Sequence, residues 1–138
     1  MRYVSLVLCL AVFGCTPPSM NMQRSMLRGG CDAATTVALD SVPVDQLAGV
    51  RVDISSTCSA LASFMGSGNV SDLTSATVTA KLQELVPERL RPYFSAVLAA
   101  VSSQQVNTAK IGVDNIKRIN AAILGVSLAN AQYATADR

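Results

Sequence analysis

Histidine and tryptophan are absent from the chain, and aromatic residues make up 4% of it. Without histidine it lacks the commonest general base, the commonest metal ligand and the usual switch near neutral pH. Charge is scarce too. The 11 Lys and Arg and 9 Asp and Glu are dispersed singly or in pairs with no basic stripe, so the electrostatic footprint of a nucleic-acid partner is missing. Glu84 and Glu88 stand four apart but are separated by the helix breaker Pro87, and form no paired-carboxylate motif. A serine could still meet Lys81 or Lys110 in space, since catalytic partners need not be neighbours in sequence. No motif for such a site is present, and the expectation is a protein without catalytic activity, metal or cofactor.

What is present begins at the N-terminus. Arg2 supplies one early positive charge, and an apolar run from Tyr3 to Phe13 follows, interrupted only by Ser5. The run is too short for the roughly 20-residue helix that crosses a ~30 Å hydrocarbon core. Residues 1–14 therefore have the form of a cleaved secretory signal, a charged start followed by an apolar stretch.

The run ends in Val12-Phe13-Gly14-Cys15, which resembles the lipobox of bacterial lipoproteins: a branched aliphatic, a variable and a small residue before an obligatory cysteine. The resemblance covers these four positions, with Val12 where leucine is commonest and Phe13 bulkier than the usual occupant. It implies cleavage between Gly14 and Cys15, a diacylglycerol joined to the Cys15 thiol as a thioether, and a further acyl chain such as palmitate on the new amino group. Each buried methylene contributes about 0.8 kcal/mol, so two or three chains hold a protein at a bilayer where one would not. The implied location is the cell membrane or outer membrane, facing the periplasm. Thr16, where an aspartate would favour inner-membrane retention, favours the outer membrane. The alternative is an ordinary signal peptide with a free Cys15.

Removing residues 1–14 leaves 124, enough for one domain with one core, and lowers the net charge to +1. Cys9 leaves with the signal and Cys15 is assigned to lipid, so Cys31 and Cys58 remain. In an oxidising periplasm the pair favours a disulfide closing a loop of about 27 residues, worth on the order of 3 kcal/mol in the chain-entropy model. The alternative is a buried Cys58 acting as a small hydrophobe and an exposed Cys31 thiol. The spacing excludes a redox CxxC.

Residues 15–30 carry prolines, methionines, two arginines and a Gly-Gly pair with no sustained apolar period, and are expected to form a disordered tether after the lipidated cysteine. Residues 31–138 are expected to form a single all-α domain, a small bundle of three to four helices at about 43–65, 71–86, 91–104 and 108–132. Ser41 could cap the first with Pro43 in its first turn, although Val50-Arg51-Val52-Asp53-Ile54 also alternates as a strand would. Ser71 could cap the second and Pro87 stop it; Leu90, Phe94, Val97 and Val101 line the third. Asn107 or Thr108 could cap the last, whose stripe nearly continues that of the third, so one helix from about 92 to 132 is an alternative.

Ile116, Ile119, Ile123, Val126, Asn130 and Tyr133 repeat at three and four like a coiled-coil seam, and the first five make a candidate interaction face. Ala121, Gly125 and Ala129 form a small-residue row, which fits close packing in a bundle better than association within a membrane. The reading that uses only these features is a lipid-anchored envelope protein with a structural or protein-interaction role. Its partners would be the membrane, through Cys15, and a protein partner or a second copy. A phage-encoded lipoprotein acting in superinfection exclusion or lysis, and a carrier of small apolar ligands, are the alternatives.

Overall fold

The computed structural model describes residues 19–102 and 110–136, which form five α-helices and no strand. The first, α1 (Met20–Asp40), begins where Ser19 caps it, its hydroxyl accepting the Met22 backbone N–H at 3.3 Å. Its existence corrects the expected tether over residues 20–30, which are helical. Gly29 and Gly30 each cost about 1 kcal/mol relative to alanine in a helix, so tertiary packing must carry this helix. Cys31, Thr35 and Leu39 provide that packing as its buried positions.

Ser41, expected to cap the next helix, instead closes α1, and Pro43 takes the N-cap position of α2 (Val44–Met65) with Asp45 in the favourable first turn. The alternating stretch at Val50–Ile54 is helical: Ile54, Thr57, Cys58, Leu61 and Met65 are buried at helical spacing, and Val52 faces solvent. Helix α3 (Ser75–Leu85) starts four residues later than expected. Residues Val70–Asp72 form a 3-10 turn, and Thr74 caps the helix by accepting from the Thr77 N–H. Val86 and Pro87 end it, and a second 3-10 turn at Glu88–Leu90 leads into α4 (Arg91–Ser102), whose Phe94, Val97 and Val101 are buried with Leu90.

Helix α5 (Val113–Ala136) is separate from α4. Gly112 sits at a φ of +76°, a left-handed conformation that ends any continuous helix, and the Ile111 N–H donates to the Leu73 carbonyl at 3.0 Å instead. The expected caps Asn107 and Thr108, and the end of the expected third helix at 104, lie outside the described residues.

α5 is the central element. Met20 and Gln23 meet Arg118, Cys31 meets Gly125 and Asp40 meets Tyr133, so α1 and α5 run parallel. Arg51 meets Asn130 while Cys58 lies beside Ile123, so α2 runs antiparallel to α5. α4 packs against both α1 and α5, and the fully buried Thr35 hydroxyl donates to the Tyr93 carbonyl at 3.0 Å. α3 lies outermost, against α2 and α4.

The small-residue row of α5 faces α1. At Gly125 a Cβ would overlap the Arg28 carbonyl oxygen and stand 2.9 Å from the Cys31 Cβ. Gly125→Ala therefore trades a helix-propensity gain of about 1 kcal/mol for overpacking against backbone. We expect a net loss of roughly 1–3 kcal/mol in urea unfolding of a form starting at Thr16, which contains every described helix. Nothing lies within 4 Å of a Cβ at Gly29, so Gly29→Ala should raise stability by about 0.5–1 kcal/mol in the same titration.

Candidate functional site

The five residues marked as an interaction face are not available as one. Ile119, Ile123, Val126 and Asn130 are buried and Ile116 is half-buried, because this side of α5 is the inner face of the bundle. The coiled-coil-like seam is satisfied within the chain. Asn130 joins two helices there, its amide donating to the Arg51 carbonyl at 3.0 Å, while the Arg51 guanidinium donates to the Asn130 carbonyl at 3.3 Å. The Asn130 Oδ1 and the Arg51 Nε are buried there without a protein partner among the described residues.

Arg118 was not singled out by the sequence, yet it fastens the start of α1. Its guanidinium donates to the Gln23 side-chain oxygen, to the Met20 sulfur at 3.8 Å and to the Asn115 side-chain oxygen at 3.5 Å. At the far end Tyr133 donates to Asp40 at 2.7 Å. Lys81 and Lys110, considered as catalytic bases, are ends of exposed ion pairs with Glu84 at 3.0 Å and Asp72 at 3.1 Å. Pairs of this kind contribute little to stability. Among the described residues no group of three His, Cys, Asp or Glu side chains comes together, and no helix is long and apolar enough to cross a membrane.

The expected disulfide is absent: Cys31 and Cys58 are both free and both buried. The alternative of an exposed Cys31 fails as well. At 100° per residue, Gly125, beside Cys31, points nearly opposite to Ile123 and Ser127, beside Cys58, so α5 stands between the two thiols. Burial pushes both thiols up from about 9.0 to about 11.

Among the features open on the surface are a groove and the outer side of α1. A groove of about 380 Å³ between α2 and α5 is lined by Ser55, Ser59 and Ala62 opposite Asn120, Leu124 and Ser127, with Cys58 and Ile123 below. The other is the N-terminal half of α1, where Met22 and Met26 are 38% and 57% exposed and where Asn21, Arg24, Ser25 and Arg28 enclose a shallow depression of about 190 Å³. The segment leading to that helix, with Val12, Phe13, Gly14 and the lipidation candidate Cys15, lies outside the described residues.

The thiol geometry has a measurable outcome. At pH 8 the folded protein should alkylate slowly at Cys31 and Cys58, and urea should expose both together, as followed by mass spectrometry. Because the unfolded chain releases these protons first, the thiols leave stability unchanged below pH 9 and lower it as pH rises from about 9 towards 11. Fast labelling of either residue under native conditions would contradict the buried arrangement.

No protein-family model, curated protein or solved structure matches this chain.

Proposed function

We propose that the chain is a small lipid-anchored protein of the bacterial envelope, held through Cys15 and working by structural or protein-protein contact rather than by catalysis. The observation that carries this reading is the N-terminal order of features: one positive charge, an apolar run too short to span, then Val12-Phe13-Gly14-Cys15. The position of α1 supports it. Helix α1 starts at Met20, five residues past Cys15, and five residues reach at most ~18 Å when extended. An acyl group on Cys15 would keep the bundle against the bilayer, oriented by α1, rather than on a long lead.

The parallel arrangement also defines two ends. Met20, Asn115, Arg118 and Asn120 mark the end near the proposed anchor, and the Ser41-Val42-Pro43 turn, Tyr93 and Tyr133 mark the far end. A depression of about 290 Å³ opens at the far end, lined by Ala38, Val42, Pro43, Val50, Pro92 and Tyr93 among others.

The mass of the mature N-terminal peptide, taken from membrane fractions of a bacterial host, tests the anchor. Cys15 is expected at the N-terminus carrying diacylglycerol, and Cys15→Ala should abolish both the modification and the cleavage after Gly14. An unmodified cysteine, or cleavage elsewhere, would overturn the reading.

A further inference from the structure

We propose that the N-terminal half of α1 is an interfacial helix, lying along an anionic phospholipid surface with Met22 and Met26 in the headgroup boundary and Arg24 and Arg28 on lipid phosphates. The bundle would then rest on its side rather than stand on its lipid.

Four observations converge on this face. The first is charge: Asp32 is the first acidic residue of the whole chain, and between Cys15 and Cys31 the charged side chains are Arg24 and Arg28 alone. Among the described residues neither arginine takes part in an ion pair. The second is shape. At 100° per residue Met22 and Met26 lie at one edge of the outward side of the helix and Arg24 and Arg28 at the other, about 160° apart, with Ser25 and Gly29 between them. Asn21 and Ser25 close the depression beside the arginines with groups able to hydrogen-bond an anion.

The third is rigidity. Arg118 holds Met20 and Gln23 from the opposite side, and Gly125 admits the backbone at Arg28, so α1 cannot roll to hide its methionines. The fourth is reach. The chain from Met20 back to Cys15 extends at most ~18 Å, so an acylated Cys15 brings this face to a bilayer in preference to any other partner. Beyond Gly30 the helix carries Asp32 and Asp40, which bounds the membrane-facing part to about its first three turns.

The chemistry follows from side-chain length and type. Methionine is flexible and apolar, and enters an irregular acyl boundary readily. Arginine lays its methylenes along the same boundary and sends the guanidinium to the phosphate layer. Each basic residue close to an anionic leaflet shifts the docked-to-undocked ratio by about fivefold. The position of the bilayer rests on the anchor reading above; the chemistry of the face does not.

The absence of tryptophan makes the test direct, because Met26→Trp introduces the one indole of the chain. The full chain carrying Met26→Trp, processed in a bacterial host and extracted, is reconstituted into phosphatidylcholine vesicles with and without phosphatidylglycerol, and the N-terminal peptide mass is measured on the same sample. Gln83→Trp, exposed on α3, is the control. Met26→Trp should show blue-shifted emission quenched by lipids brominated on the acyl chain, more strongly with phosphatidylglycerol. The control should show neither effect. Adding Arg24→Gln or Arg28→Gln should each lower the docked-to-undocked ratio about fivefold.

Acylated protein whose Met26→Trp emission matches the control would overturn the proposal and leave the anchor intact. So would quenching that is indifferent to both arginines and to phosphatidylglycerol. Protein without acyl chains that still shows the charge-dependent blue shift would support the face and overturn the anchor. Protein without acyl chains that ignores the vesicles would overturn both.

Discussion

The bundle depends on one backbone contact, the approach of α5 at Gly125 to the Arg28 carbonyl and the Cys31 side chain of α1. Any larger residue there would push the two helices apart by the width of a methyl group, and the packing above and below is set by that spacing. Residues separated by 93 to 98 positions meet along this pair, at Tyr133 with Asp40 and at Arg118 with Met20. Closing a loop of that length costs ~4 kcal/mol in chain entropy beyond the constant term. A helix interrupted by Gly29-Gly30 could not offset that by its own propensity. Burial of Cys31, Thr35 and Leu39 where α1 packs on α4 and α5 offsets it, and for the same reason α1 is a helix at all.

The central position of α5 follows. Its sequence carries two faces at once: Ala121, Gly125 and Ala129 admit a helix at close range, and Ile119, Ile123 and Val126 fill the space shared with its other neighbours. Two polar clamps set the register on the two sides. Arg118 and Tyr133 fasten the ends of α1, and the reciprocal Asn130 and Arg51 hydrogen bonds fasten α2. The sulfur chemistry follows from the same placement. With α5 between them, Cys31 and Cys58 stay unbridged thiols, and burial that pushes both to about 11 withholds the reactive thiolate.

Much of this fold was legible in the sequence, and the misses share a cause. The helices α2 and α4 and the course of α5 follow apolar periods and proline breaks that need no knowledge of the partner: Ile54, Cys58, Leu61 and Met65 in one, Phe94, Val97 and Val101 in another. The all-helical class follows with them. Helix α1 was hidden because it packs through small and polar residues, Cys31 and Thr35 among them, whose burial only α5 explains. The cysteine pairing was misjudged for a related reason, since composition and compartment say nothing of which helix stands between two thiols. The seam on α5 was recognised but assigned outward. Its period marks a helix-facing stripe without naming the helix it faces, and here the partners belong to the same chain. Arg118 left no sequence signal, because a single arginine beside a lysine resembles any solvated pair.

Helix α1 therefore has two sides with opposite demands. Its inner side must be small where it reaches Gly125, at Cys31, and its other buried positions are Thr35 and Leu39. The larger apolar side chains of its first turns, Met22 and Met26, are turned outward, where a helix buried only on one side would ordinarily carry charge. Exposed methionines and unpaired arginines at the two edges of its outward side, on a helix fixed against rolling and starting five residues from Cys15, match what an interface between water and lipid requires: apolar groups of modest size and cationic groups on long stems. The same rigidity that closes the bundle would hold that face in place, so that anchoring the first residue would orient the whole domain.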